Sequence, residues 1–197
     1  MERHRALFEK AKDACRERFC WSPFPETPAQ YPDHEKADAQ GRAAFERHCG
    51  QLFQMNTGGD GAKQASIASE EVSAYTQKPL GTHYPHLEID SVFSDAKNAV
   101  HSWSQATPQE RIGVLLEVVD RIYREHLFEI AHAVMHTAGQ SYNMAYAGSG
   151  VNALDRAIEA LVYASQAMSG VATSATWERK FGKATISLQK TYRLIPR

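Results

Sequence analysis

Four side chains that could ligate a transition metal lie close together in one predicted helix. Glu129, His132 and His136 share a helical face at positions i, i+3 and i+7, and His126 precedes them by about one turn. Imidazole and carboxylate groups are common zinc ligands, so a metal site can be drawn here. The chain contains 9 histidines, which makes such spacing common by chance. We expect a solvated or interface face and assign no metal.

A glycine-containing string from Gly148 to Ala153, with the sequence GSGVNA, matches the GxGxxA pattern of dinucleotide-binding turns. In such turns the pyrophosphate lies at the N-terminus of the helix that follows. A strand must precede the turn, whereas Tyr142 to Ala147 is typical of a helix or turn. The sequence therefore predicts a break between two helices here, and we assign no cofactor-binding residue.

The three cysteines, Cys15, Cys20 and Cys49, are the candidate nucleophiles. None lies in a glycine-flanked turn between a strand and a helix, and no CxxC pair occurs. Their odd number argues against a disulfide framework. We expect reduced, partly buried thiols and assign no catalytic residue.

Amphipathic helices between Thr107 and Gly170 would position these groups. Thr107, Pro108 and Glu110 indicate a helix start with an N-cap and a capping box. Gly139 and Gly170 are predicted to end later helices. The apolar residues recur at three- and four-residue spacings along these helices: Ile112, Leu115, Leu116, Val119, Ile122, Leu127, Ile130, Ala131, Val134, Leu154, Ile158, Leu161.

The preceding part of the chain is also predicted to be largely helical. Helices are expected over residues 2–19 and 33–48, joined by a proline-containing connector over residues 21–31 whose aromatic side chains dock on the body. Residues 56–69 are expected to form a loop, and residues 71–83 short strands. A further helix over residues 87–104 carries an apolar stripe that we expect to be buried: Ile89, Val92, Phe93, Ala96, Val100, Trp103.

The apolar period changes to two residues between Thr185 and Ile195, which predicts a strand with one apolar face. A lone strand leaves its backbone groups and apolar face uncovered. Its partner is expected to be either residues 172–183 or residues beyond Arg197.

Composition excludes several classes of function. The 197 residues contain 22 basic and 23 acidic side chains, so a nucleic-acid partner is not expected. No apolar run is long enough for a membrane span, and the N-terminus does not resemble a signal peptide. We expect a cytoplasmic protein.

Several strings resemble the N-terminal helical part of the aldehyde dehydrogenase superfamily: ERI at 110–112 with LL at 115–116, EIA at 129–131, TAGQ at 137–140, and Ala157 through YA at 163–164. Three others resemble its phenylacetic acid degradation (PaaN-type) branch: WSPFPE at 21–26, residues 131–140, and ALDRA at 153–157. The resemblance covers nearly the whole chain but only about the first third of such an enzyme. It implies a mainly α chain with minor β structure, the helical N-terminal part of an aldehyde-dehydrogenase-like α/β fold ending in an unpaired or hairpin strand.

The resemblance also implies an organisation of the chain. Residues 1–55 form a helical extension, residues 56–86 a loop with short strands, and residues 87–170 the helices of the body. Residues 171–197 form a strand segment leading toward an absent cofactor domain.

By resemblance, the complete protein would oxidise an aldehyde to the acid with NAD or NADP. The substrate would be a ring-opened semialdehyde thioester of coenzyme A from phenylacetate breakdown. Val151 and Asp155 would border the substrate entrance, and the Thr185–Ile195 strand would join a homo-oligomer. The segment alone is expected to be inactive, because the family's catalytic motifs do not appear in it. The alternative is a free-standing helical interaction protein, which we disfavour because a periodic strand runs into Arg197.

Overall fold

The computed structural model describes residues 1–54 and 66–194. Seven α-helices lie in the described ranges: α1 (Arg5–Glu17), α2 (His34–His48), α3 (Ile89–Gln105), α4 (Pro108–Arg121), α5 (Leu127–Ala138), α6 (Tyr142–Met144) and α7 (Asn152–Ser169). The strands are β1 (Ser66–Ala68), β2 (His83–Pro85), β3 (Ser174–Phe181) and β4 (Ala184–Thr191). Short 3₁₀ helices occupy Glu2–His4 and Pro28–Gln30, and π-helical turns occupy Ile122–His126 and Ala145–Val151. Within the described ranges, no helix is long and apolar enough to span a bilayer.

Helix α4 begins as its sequence predicts. The Thr107 side chain accepts a hydrogen bond from the Glu110 backbone N–H, and the Glu110 carboxylate accepts one from the Thr107 N–H, which completes the capping box. The π-helical turn then carries the chain directly into α5. Gly139 ends α5 in the left-handed conformation with φ of 69°, so the predicted stop is confirmed.

The N-terminal extension packs on the body formed by α4, α5 and α7. Helix α1 lies against α7, and α2 lies against α5. On α1 the buried apolar residues are Phe8 and Ala11. The helix ends at Glu17, before the predicted end at residue 19, and Phe19 is exposed. Phe19 follows the end of α1 and no longer shares the helical face.

The proline-containing connector docks through its aromatic side chains, as predicted. The ring of Phe24 stacks on Tyr123 with centroids 4.4 Å apart, and Tyr31 meets the edge of Phe128 at 4.9 Å. The Tyr146 hydroxyl donates to the Pro25 carbonyl at 3.2 Å. The prolines keep this segment from forming an α-helix, and these contacts attach it to the central core.

Helix α3 exists where predicted, but its apolar stripe is not buried. Ile89 is 71% exposed and Phe93 is 61% exposed, and α3 contributes no buried residue. An apolar period shows that a helix has an apolar face, but it does not show what covers that face. Nothing among residues 1–54 and 66–194 covers this stripe.

The C-terminal strand is one arm of a hairpin. Strand β3 pairs antiparallel with β4, so the predicted partner within residues 172–183 is confirmed. The observed strand ends at Thr191, earlier than predicted, and Ile195 lies outside the described residues. Gly182 turns the hairpin with φ of 62°, a conformation that suits glycine. All residues of both strands are exposed.

The segment before α3 differs in detail from expectation. Part of the predicted 56–69 loop falls outside the described residues, and Ser66–Ala68 forms a strand paired with β2. The predicted short strands over 71–83 reduce to one bridge between Val72 and Pro79 and the start of β2. Segments this short carry too few residues for a clear two-residue period.

Candidate functional site

The GSGVNA string does not form a dinucleotide-binding turn. Residues 145–151 form a π-helical turn that joins α6 to α7 without the predicted break. The backbone N–H groups of such a turn donate within the helix and cannot hold a pyrophosphate. A Cβ on Gly150 would lie 2.6 Å from Leu127 Cδ1, so close packing explains this glycine. The string does not fit a dinucleotide.

The histidines of the candidate metal site on α5 form hydrogen bonds with different residues. His132 is 3% exposed, and its Nε2 lies 2.8 Å from Asp38 Oδ1 on α2. His136 Nδ1 lies 2.7 Å from Ser73 Oγ, and its ring stacks on Phe45. These histidines face different partners, and both partnerships tie α5 to neighbouring segments.

Glu129 makes a third link between α2 and α5. Its carboxylate lies 2.7 Å from His48 Nε2 and 2.9 Å from His126 Nδ1. Burial alone would raise the pKa of Glu129, but the hydrogen bonds with these two imidazoles outweigh burial and lower it. The pKa of Asp38 is lowered in the same way, because Tyr142 and His132 outweigh its burial. Both carboxylates are therefore held in the charged form.

The two predicted substrate-entrance residues have different environments. Val151 is fully buried in the core cluster. Asp155 is 9% exposed and lines a cavity of about 300 Å³ between α1, the connector and α7. Its Oδ1 accepts a hydrogen bond of 2.9 Å from the Ser22 hydroxyl, and burial raises the pKa of Asp155. Contact of either residue with substrate stays a prediction.

Cys15 and Cys49 are partly buried, as expected from the sequence, whereas Cys20 is exposed. Cys15 and Cys20 line the same cavity as Asp155, while Cys49 follows α2. Burial raises the pKa of the Cys15 thiol and of the Cys49 thiol, so both favour the unreactive protonated form.

Comparison with known proteins decides the family. The aldehyde dehydrogenase family profile matches residues 62–189, which is more than half of the chain. The chain belongs to the aldehyde dehydrogenase family. It is similar to the crystal structure of an NAD-dependent aldehyde dehydrogenase from Burkholderia multivorans, with 35% sequence identity and a TM-score of 0.89. That similarity covers 100% of this chain and 34% of the other, so this chain spans about a third of that protein. No curated protein matches.

The fold class expected from the sequence is confirmed for this aldehyde dehydrogenase family chain. It is mainly helical with few short strands, and it matches the fold of a family member along its full length. About two thirds of the related structure has no counterpart in these residues.

Sequence reasoning missed one polar cluster in this family member. His4 Nε2 lies 2.8 Å from Glu117 Oε2, and Arg3 reaches both Glu117 at 3.3 Å and Asp120 at 3.2 Å. Hydrogen bonds from Arg121 and His4 lower the pKa of Glu117 to about 2. The ligand types could suit a cation, but the guanidinium groups of Arg3, Arg121 and Arg124 already pair with these carboxylates. No local pattern could reveal it, because more than a hundred residues separate the partners.

Proposed function

We propose that this chain is the N-terminal part of an NAD- or NADP-dependent aldehyde dehydrogenase that oxidises an aldehyde to the corresponding acid. The observation that carries the proposal is the 35% identity and TM-score of 0.89 with an NAD-dependent aldehyde dehydrogenase over the whole chain. The related protein is named for its NAD dependence, and this supports NAD as the first cofactor to test.

The segment itself would be a scaffold in this proposal. The mechanism of aldehyde oxidation needs a thiolate nucleophile, oxyanion donors and a general base. The thiols of Cys15 and Cys49 have raised pKa values, and the GSGVNA string is a helical turn. Cys20 lies just after α1 and not in a turn between a strand and a helix. We therefore assign the catalytic thiolate and the cofactor cradle to residues outside this chain.

The proposed substrate is a ring-opened semialdehyde thioester of coenzyme A from phenylacetate breakdown. Its support is the resemblance of three strings to the phenylacetic acid degradation branch. One of them, WSPFPE at 21–26, forms the connector that docks on the body through Phe24 and donates the Ser22 hydrogen bond to Asp155. A role for Asp155 at the substrate entrance belongs to this proposal.

We also assign the hairpin to a homo-oligomer interface. The antiparallel register places Trp177 opposite Leu188 and Arg179 opposite Ile186, so these side chains share one face. Trp177, Ile186 and Leu188 are between 44% and 48% exposed. Exposed apolar groups clustered on one face are typical of interaction surfaces.

Substitution on the two faces of β4 tests this interface. Leu188→Lys should lower the apparent mass in light scattering, because it places a charge in the apolar face. The matched control Ser187→Lys adds the same charge to the opposite face and should leave the mass unchanged. A natural chain that is monomeric at high concentration would contradict the proposal.

The decisive experiment is the intact mass of the protein from its native source. A mass more than twice the 22.0 kDa of this sequence would support the dehydrogenase proposal. A mass near 22.0 kDa would instead favour the second candidate, a helical interaction protein that uses the exposed stripe of α3 and the hairpin. Purified alone, the 197 residues should not reduce NAD or NADP with any aldehyde, and measurable reduction would overturn the scaffold assignment.

A further inference from the structure

The cavity that Asp155 lines has the walls of a small-molecule site. It measures about 300 Å³ and is bounded by α1, the connector and α7. Apolar surface comes from Ile158 and from three aromatic side chains, Phe19, Trp21 and Tyr163. Its volume lies at the small end of the range for ligand sites, which suits a compound with a single ring.

The cavity is lined by a buried carboxylate that has fewer hydrogen-bond donors than it can accept. Asp155 is 9% exposed, and the Ser22 hydroxyl is the one hydrogen-bond donor to it within the described ranges. An ionised carboxylate has acceptor sites for several donors. Burial raises the pKa of Asp155, which indicates that its negative charge lacks compensation.

The charges around the cavity favour a cation. Three carboxylates line it, those of Asp155, Glu26 and Glu159, against the guanidinium groups of Arg18 and Arg156. The Arg156 guanidinium is paired with Glu159 at 2.6 Å, and 72% of its side chain is exposed. Burial raises the pKa of Asp155 and outweighs both the Ser22 hydrogen bond and Arg156, which lower it in part.

The chain itself shows that one aromatic wall attracts an ammonium group. Lys10 Nζ lies 5.3 Å from the centroid of the Trp21 ring. This is the distance range of a cation–π interaction, and tryptophan is the strongest aromatic partner for it.

We propose that this cavity binds a small organic ammonium ion that carries one ring or an apolar group of similar size. The ammonium group donates to the Asp155 carboxylate, and the apolar group packs against Trp21, Phe19 and Tyr163. The inference does not rest on the dehydrogenase proposal, because it concerns binding by the 197-residue chain alone.

Three probes of similar shape and different charge test the proposal by isothermal titration calorimetry. The natural chain is titrated with phenethylammonium, with neutral 2-phenylethanol and with anionic 3-phenylpropionate. The ammonium ion should bind about tenfold more tightly than the alcohol, because a donor with a positive charge forms an ion pair with the carboxylate that a neutral hydroxyl cannot form. Equal affinities, tighter binding of the alcohol or the anion, or no detectable binding of the ammonium ion would overturn the proposal.

A pair of variants assigns the preference to Asp155. Asp155→Asn should remove the preference for the ammonium ion. Asp13→Asn makes the same change on the exposed side of α1, where Asp13 pairs with Arg16, and should keep the preference. A preference that survives in Asp155→Asn would refute the assignment. If Asp155→Asn does not fold, the three probes on the natural chain still decide the proposal.

Discussion

The docking of α2 on α5 depends on a glycine that leaves no space for a side chain. A Cβ on Gly41 would lie 2.4 Å from Phe128 Cβ, 2.6 Å from the Phe128 carbonyl carbon and 2.7 Å from the Glu129 backbone nitrogen. Favourable contact between carbon atoms requires about 3.5 Å. Because Cβ and backbone atoms cannot rotate away, Gly41→Ala must push the two helices apart by about 1 Å.

The free-energy cost follows from this displacement. Overpacking typically costs about 1–3 kcal/mol, and the separation also lengthens the hydrogen bonds of Asp38 with His132 and of His48 with Glu129. The better helix propensity of alanine returns about 1 kcal/mol. We expect a net destabilisation of about 2 kcal/mol, which lowers the Tm of a chain of this size by roughly 4–8 °C.

Thermal and denaturant unfolding of the variant and the natural chain measure this effect. The matched control is Gly170→Ala, where a Cβ would meet only carbonyl oxygens at 3.5 and 3.8 Å and φ is −67°. That substitution should leave the Tm unchanged or slightly raised. A Gly41→Ala variant with the natural Tm would refute the close approach of α2 to α5.

Three further predictions concern the cap, the pH dependence and the cavity wall. Thr107→Ala removes the capping box of α4 and should cost about 1 kcal/mol in unfolding measurements, whereas Thr137→Ala, at an exposed site within α5, should cost less. Asp38, Glu117 and Glu129 have lowered pKa values, so the stability from their charged forms is present near neutral pH and is lost as pH falls below about 5 toward 2. Glu117→Gln should weaken the pH dependence of the denaturation midpoint over this window. An unchanged pH dependence would count against the ion-pair network around Glu117. Asp155 has a raised pKa, so its negative charge is unfavourable in the folded chain. Asp155→Asn should therefore unfold at a higher denaturant concentration than the natural chain near neutral pH, because the removal of this charge outweighs the loss of the Ser22 hydrogen bond. A large decrease in the denaturation midpoint would show that the hydrogen bond dominates.

Much of the secondary structure could be predicted because its causes are local. The capping box at Thr107 and the left-handed glycine at Gly139 depend on residues within one or two turns, and both appear as predicted. The two-residue period after Thr185 likewise predicts β4. Family membership was also visible in short strings, because a match between strings needs no knowledge of tertiary contacts.

The tertiary structure decided which apolar faces and polar groups have partners. The α3 stripe has the same period as buried helices, yet Ile89 and Phe93 are exposed, because burial depends on what another segment covers. The GSGVNA string has the composition of a cofactor turn but packs as a π-helical turn against Leu127. Asp155 meets Ser22, and Glu117 meets His4, across more than a hundred residues. The sequence by itself determined most helices, the C-terminal strand and the family. The pairing of that strand in a hairpin, the cavity and the histidine–carboxylate links were decided by the tertiary structure, because hydrogen bonding and burial act through space and carry no periodic signal along the chain.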